Sequence, residues 1–334
     1  AQCLVGSEMC IRDSSGESKD LPAYAGLIII PDIRQKSRSF WEYSVENPLF
    51  FALPGRKGLK LPEESFRIRC QIIPSVHENA GKGTSMEHIT SRHNPLMGHI
   101  RRLAGSAAYR WETGEFLCDS PKLLQEALLW QAEITAVVTI SPLPQLPEHI
   151  RQVQVPEDVM ASISPVKTPQ GVLFTCRLPQ APLPRSLTGR RYVLLDGVQD
   201  PGNVGTILRT LDAFDADGLL LTGGCADPYG WKAVRSSMGA VFRRPIYSGT
   251  PEELAALLHR SGLPLYGAAL REDTVDARQA DYTRCTLAIG SEGRGLSREV
   301  LNLCDQTIRI PMSDRCESLN AAIAAAVLLW ESWR

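Results

Sequence analysis

From Arg191 to its end the chain repeats one alternation. The apolar runs "RYVLLD", "GLLLTGG", "LPLYGAAL", "TLAIGSE" and "TIRIPM" are separated by stretches with helical spacing. Each run is apolar almost continuously, rather than at every second residue. A strand of that kind is buried on both faces, which excludes a sheet with one wet face. Strands that take turns with helices build a parallel sheet covered on both sides. Helices are expected to begin near Asn203, Pro228, Pro251 and Ser297, and "SLNAAIAAAVLLWESW" supplies the last one. The fold class read from the residues alone is therefore α/β.

A smaller α/β unit is predicted upstream, over residues 86–178. It opens on an Asn-Pro boundary, and Leu96, Ile100 and Leu103 then recur at helical spacing. "GEFLCDS", "ITAVVTI" and "GVLFTCRL" read as strands. Ser120-Pro121 caps the helix "PKLLQEALLWQ", with proline in the first helical position, and "VPEDVMASIS" reads as another capped helix. Residues 179–189, "PQAPLPRSLTG", form a proline-rich linker to the second domain, 190–334. Residues 1–85 have a different texture, with no sustained period of either kind. The string from Cys3 to Ser14 resembles a translated sequencing adapter, and Met86 reads as the native start. The segment 1–85 is expected to be a non-native or disordered extension, with a genuine extension as the alternative. Its "GKGT" is no phosphate loop, because Val76 and Gly83 stand where that motif needs Gly and Ser/Thr.

Composition limits the partners. A 334-residue chain with formal net charge -1 does not have the overall basic balance common in nucleic-acid binders, so any RNA must be met by local basic groups. The nine cysteines show neither C-x-x-C nor zinc-site spacing. Free thiols, no metal site and a cytoplasmic location are expected from that pattern. No apolar run reaches the length of a membrane span.

Three strand ends in the second domain carry unusual polar groups. The first is "LLDGVQDPGNVGTILRT", Leu194 to Thr210, a strand-to-helix turn with Asn203 at or just before the N-cap and Arg209 farther along the helix. Alone, this reads as a capping Asn and a solvated Arg. The second is "LAIGSEGRGLS", Leu287 to Ser297, where Gly290, Gly293 and Gly295 surround Glu292. Such glycines permit positive φ and close backbone approach, although alone they describe a flexible turn. Their order is not the dinucleotide fingerprint, which weighs against a nicotinamide dehydrogenase. The third is "IRIPMSDRCESLNAAIAAA", Ile308 to Ala326, in which Ser318 and Asn320 open an alanine-rich helix able to pack closely.

In this order the motifs resemble the signatures of the SpoU (TrmH) family of RNA ribose 2′-O-methyltransferases, within the SPOUT class. The resemblance covers about 190–334 and includes "DPYGWKAVRSSMGAVFRRPI". Residues 86–178 more loosely resemble the family's RNA-binding domain, and 1–85 match nothing in it. Ser313-Asp314 departs from the pattern, where Gly is common after the Met. The resemblance implies a deep trefoil knot at the C-terminal end of the sheet. It implies S-adenosylmethionine bound there, largely by backbone from Thr222-Gly223, Ile289-Gly290, Ile310 to Met312 and Leu319. It also implies a homodimer formed through the knotted domain.

The residues expected to carry catalysis are Asn203, Arg209, Glu292, Ser318 and Asn320. The family's usual assignment makes the first-motif arginine, here Arg209, a general base. A guanidinium with a pKa above about 12 is poorly suited to that role. Binding of the adjacent phosphate and stabilisation of the developing alkoxide fit it better. Glu292 is expected to orient Arg209 or Asn203, with Ser318 and Asn320 fixing the nucleotide. Phosphate contacts are expected from Arg101, Arg102, Arg110, Arg243 and Arg294, with Arg190-Arg191, Arg244 and Arg298 nearby. Tyr109 and Trp111 are candidates for base stacking or for core packing. Ribosomal RNA is favoured over transfer RNA by the two-domain layout. The alternatives are a non-catalytic RNA-binding protein that retains the fold, and a tRNA ribose methyltransferase.

Overall fold

The alternation in the sequence becomes two sheets. The computed structural model describes residues 86–334 apart from 144, 145, 180, 181, 314 and 317, so the expected extension 1–85 lies outside the described residues. The first sheet takes β1 (Glu87–His88), β2 (Glu115–Asp119), β3 (Ile134–Thr139), β4 (Arg151–Gln154) and β5 (Val172–Arg177), in the order β1-β4-β3-β5-β2. It is mixed, since β3 pairs parallel with β4 and antiparallel with β5. Its helices are α1 (Pro95–Gly105), α2 (Ala107–Thr113), α3 (Pro121–Leu129) and α4 (Glu157–Ile163).

The second sheet takes β6 (Arg191–Asp196), β7 (Gly218–Leu221), β8 (Ile246–Ser248), β9 (Leu265–Ala268), β10 (Val275–Asp276), β11 (Cys285–Gly290) and β12 (Gln306–Arg309). Their order is β10-β12-β9-β11-β6-β7-β8, and every pairing is parallel. The helices are α5 (Pro201–Ala213), α6 (Trp231–Ser237), α7 (Pro251–Arg260), α8 (Arg298–Leu303) and α9 (Ala321–Trp333).

Both faces of the larger sheet are covered, as its apolar strands require. Val193 and Leu195 of β6 pack with Leu287 and Ile289 of β11 against Ile207 and Leu211 of α5 and Ala325 and Leu329 of α9. The alternate residues, Tyr192 and Leu194, face Leu254, Leu257 and Leu258 of α7 and Val300 of α8. The valine, leucine and isoleucine side chains among these, fully buried, each contribute about 1.5–3 kcal/mol of transfer free energy. The smaller sheet divides in the same way. Leu117, Val138, Val153 and Leu173 pack with Met97, Ile100, Val159 and Ile163 of α1 and α4, while Phe116, Cys118, Phe174 and Cys176 join the cluster that holds Tyr229 and Val241.

Several elements escaped the sequence reading. β1, β4, β8 and β10 are two to four residues long. Strands that short cannot display a period. The helix in "VPEDVMASIS" does form, but Pro156 at its N-cap offers no side-chain acceptor. Glu157 and Asp158 in its first turn complement the helix dipole instead. The helix placed near Pro228 begins at Trp231, behind Gly230. After β12 the chain returns past β9 and β11, and its last helix shares the α5 side of the sheet.

Candidate active site

The N-cap of α5 is Asp200, whose Oδ1 accepts from the Asn203 backbone N–H at 2.8 Å. Asn203 therefore lies in the first turn rather than at or before the cap, a correction to the sequence reading. Pro201 at the first helical position removes a donor that would have had no intrahelical partner. The asparagine side chain is thereby free to reach across, and its Nδ2 donates to Glu292 Oε1. Asn320 caps α9, accepting from the N–H groups of Ala322 at 2.9 Å and Ile323 at 3.3 Å. Its Nδ2 donates to the same Glu292 oxygen at 2.6 Å and contacts Asn203 Oδ1 at 3.3 Å. The three motifs thus meet through one carboxylate held between two neutral amides.

Of the two partners expected for Glu292, the structure selects Asn203 and adds Asn320. Arg209 is exposed on α5, and none of the described ion pairs involves it. Ser318 is also exposed; its carbonyl accepts from the Cys316 thiol at 3.1 Å. Asp314 and Glu317, neighbours in the third motif, lie outside the described residues.

The Gly-rich loop is folded tightly on itself. Ser291 and Gly295 exchange backbone hydrogen bonds at 3.0 and 2.8 Å, with Gly295 at φ 66°. A Cβ on Gly290 would overlap the backbone of Gly295 and Leu296, so only glycine fits. Gly293 faces open space. The close approach expected of the three glycines thus belongs to Gly290, the positive φ to Gly295, and neither to Gly293. This turn presents Glu292 at its tip.

Asp196 was not singled out from the sequence. It ends β6 at 7% exposure. Its Oδ1 accepts from Thr222 Oγ1 and its Oδ2 from the Ser297 N–H, both at 2.6 Å. One buried carboxylate therefore ties the exits of β6 and β7 to the end of the loop that follows β11. The Asp closing an apolar run was visible; its partners, 26 and 101 residues away, were not.

A cleft of about 640 Å³ opens beside the loop at the exits of β9, β11 and β12. Ile289, Gly290, Ile310, Met312 and Leu319, the residues expected to hold a cofactor, line it together. Thr222 and Gly223 do not; they line a neighbouring cleft of about 650 Å³ with Asp196 and Ser297. The first cleft instead takes Ala268, Ala269 and Leu270 from the end of β9, which carry no polar side chain that a sequence reading could single out. Its volume suits a small-molecule ligand. Its lining is largely apolar, and Arg309 and Glu292 are the charged residues in it. Such a lining fits a cofactor whose polar edge is read by backbone at strand ends.

The arginines separate into two sets. Arg101, Arg102 and Arg294 are exposed. The Arg102 guanidinium lies 3.7 Å from the centre of the Tyr109 ring, and Trp111 is 53% exposed. Arg110 and Arg243 do not belong with them. Arg110 is 5% exposed and paired with Asp227 at 2.6 Å, while Arg243 pairs with Glu126 at 2.5 Å and Asp212 at 2.7 Å. Both were expected to contact RNA, and in the fold each guanidinium already faces a part-buried carboxylate. Arg244 is likewise paired, with Asp212 and Asp215.

Residues 190–330 match the SpoU rRNA Methylase family. The chain is 31% identical over 249 residues to the 23S rRNA (guanosine(2553)-2'-O)-methyltransferase RlmP of Bacillus subtilis, covering 73% of this chain and 98% of that protein. It is 30% identical to a 23S rRNA (uridine(2479)-2'-O)-methyltransferase of Streptomyces viridochromogenes, covering 72% and 82%. The fold resembles an AdoMet-bound rRNA methyltransferase from Sinorhizobium meliloti, with TM-score 0.68, 33% identity, and 74% and 97% of the two chains covered.

Proposed function

The chain belongs to the SpoU rRNA methylase family, and we propose accordingly that it transfers the methyl group of S-adenosylmethionine to a ribose 2′-hydroxyl of ribosomal RNA. The observation that carries this reading is the meeting of Asn203, Glu292 and Asn320 at the mouth of an apolar cleft built from strand ends. S-adenosylmethionine supplies a methyl carbon already activated by its sulfonium. The protein therefore has to align the acceptor oxygen and manage one proton. Ile289, Gly290, Ile310, Met312 and Leu319, with Ala268 and Ala269, would hold the cofactor.

In this reading Glu292 fixes Asn203 and Asn320, whose amides orient the ribose, and Ser318 adds a hydroxyl at the edge of the cleft. Arg209, exposed and without an anionic partner among the described ion pairs, is suited to the adjacent phosphate and to charge developing on the 2′-oxygen. Arg101, Arg102 and Arg294 supply further phosphate contacts, and Trp111 a stacking surface. In our assignment residues 86–178 bind RNA, 179–189 link, and 190–334 carry the chemistry. The return of the chain from β12 to α9 beside the 291–297 loop supports a trefoil knot.

Ile323, Val327 and Trp330 form an exposed apolar stripe on α9, at 53%, 40% and 49%, and Trp330 lies 5.7 Å from Phe214. That stripe supports a homodimer through this domain. Among the described residues no helix is long and apolar enough to cross a membrane. A bacterial-type rRNA substrate supports a cytoplasmic location. The intact polar cluster argues against a non-catalytic RNA-binding role.

The test is to incubate the protein with unmodified 23S rRNA and labelled S-adenosylmethionine, then map alkali-resistant linkages. Methyl incorporation at one ribose is expected. Incorporation into a base, or none into RNA, would overturn the assignment.

A further inference from the structure

Three ion-paired arginines, Arg110, Arg235 and Arg243, share a destination. Arg110 in α2 pairs with Asp227, its Nε donating to Oδ2 at 2.8 Å, while its Nη1 donates to the Leu103 carbonyl at 2.6 Å. Arg235 in α6 pairs with Asp119 in β2 at 2.8 Å, and Arg243 with Glu126 in α3 at 2.5 Å. Each pair joins the smaller sheet and its helices to the segment 227–243 that follows β7. Phe116 of β2 packs there too, its ring 5.2 Å from Tyr229 and 6.3 Å from Phe242.

That segment contains α6, which crosses α5 at Gly205. A Cβ on Gly205 would overlap Ser236 Oγ and the Ala233 carbonyl, so the two helices touch backbone to backbone. Asn203 and Arg209 lie on α5. A contiguous packed path therefore runs from the smaller sheet through residues 227–243 to the helix that carries the first motif.

The Arg110–Asp227 pair is the most buried, at 6% and 13% side-chain exposure. A buried ion pair pays heavily in desolvation and often stabilises no better than apolar packing would. It does, however, restrict geometry, because Nε and Nη2 of Arg110 both meet Asp227 Oδ2 while Nη1 holds the Leu103 carbonyl. We propose that Arg110–Asp227, Arg235–Asp119 and Arg243–Glu126 form a latch that holds the smaller sheet at a fixed offset from α5. Arg110, Arg235 and Arg243 are then positioning residues that set which nucleotide reaches Glu292, measured from RNA gripped on α1 by Arg101 and Arg102. This rests on the methyltransferase reading for its functional half; its geometric half stands independently.

Two variants of the full chain test it. Arg235→Met removes one pair and leaves Asp119 able to protonate. Arg110→Met with Asp227→Asn removes both charges of the buried pair together, so that no ion is left uncompensated. Spin labels carried by unnatural amino acids at exposed Glu157 and Glu252 report the offset. A narrow distance distribution is expected in the parent, broadened in both variants. On unmodified 23S rRNA, kcat/KM is expected to fall by up to roughly 10²-fold, as small misplacements allow, with methylation spreading to neighbouring nucleotides. The rate on a short hairpin containing the mapped nucleotide, and S-adenosylmethionine affinity, should stay near the parental values. A purely structural role would lower thermal stability without changing the methylated position. Folded variants that keep the narrow distribution, or that broaden it while methylating rRNA at the parental rate and position, would overturn the proposal. An inactive parent would remove the methyltransferase reading alone, because the distance measurement still decides whether these pairs hold the two parts together.

Discussion

The seam between the two sheets and the C-terminal edge of the larger sheet are built from the same residue types, arginine and carboxylate, used in opposite ways. At the seam every arginine faces a carboxylate. Arg110, Arg235 and Arg243 are matched by Asp227, Asp119 and Glu126. At the edge two charged groups of the candidate site stand without an opposite charge among the described ion pairs. Glu292 is held by two neutral amides, and Arg209 stands on α5 outside every described ion pair. Matched charge spends its field on its partner and serves the fold. Unmatched charge keeps its field for a ligand, and such groups cluster where chemistry is done.

The sharpest way to break this contrast is at the loop. Gly290→Val should abolish S-adenosylmethionine binding, because its side chain cannot fit against Gly295 and Leu296, while Gly293→Val, facing open space, should bind as the parent does. Calorimetry that finds parental affinity in a folded Gly290→Val protein would take the cofactor out of this cleft.

Next in size is the unmatched arginine. Arg209→Ala should lower single-turnover methylation by about 10²–10³-fold, the usual loss when one oxyanion donor is removed. Arg209→Lys should fall between it and the parent, since a point charge keeps part of the field without the planar fork. Cofactor affinity should hold in both. Equal rates for Lys and Ala, with loss of a limb in the pH–rate profile, would restore Arg209 as a general base.

At the seam a pH-dependent loss of stability is expected beside the change in methylated position. Burial raises the Asp119 carboxyl above the ordinary carboxylate value, and the Arg235 guanidinium partly offsets this. A carboxyl with a raised folded pKa binds more protons in the native state, so stability falls as pH rises through the window from its unfolded value to its folded one. Arg235→Met should raise that folded value further and widen the window. At neutral pH the variant should lose about 1–3 kcal/mol, and below the ordinary carboxylate range the two proteins should converge. Urea melts across pH check this; a loss that does not change with pH would mean Asp119 stays ionised without its partner.

The smallest effect is expected at a wet pair. Arg151 and Glu87 are 2.8 Å apart at 50% and 43% exposure. Arg151→Ala should cost less than about 1 kcal/mol in the same melts. A larger loss would show that exposure does not separate the seam from the surface.

The sequence alone carried the parallel sheet, because strands such as "RYVLLD" must be buried on both faces. It also carried most helix starts, because Ser120, Thr250, Ser297 and Asn320 are capping residues beside apolar spacing. The identities of Asn203, Glu292 and Asn320 were legible too, since unusual polar groups at strand ends are local features. Their junction was not, because the contact between Asn203 and Asn320 spans 117 residues. Nor could spacing distinguish Arg102, lying over Tyr109 in the open, from Arg110, buried against Asp227. Both are arginines on short helices of one segment, and only packing decides which guanidinium meets water. For the same reason tertiary structure alone moved Thr222 out of the apolar cleft and brought Ala268 into it. Local pattern dictates which residues form an element, but the solvent or carboxylate that a side chain meets is set by chain that arrives from far away in sequence.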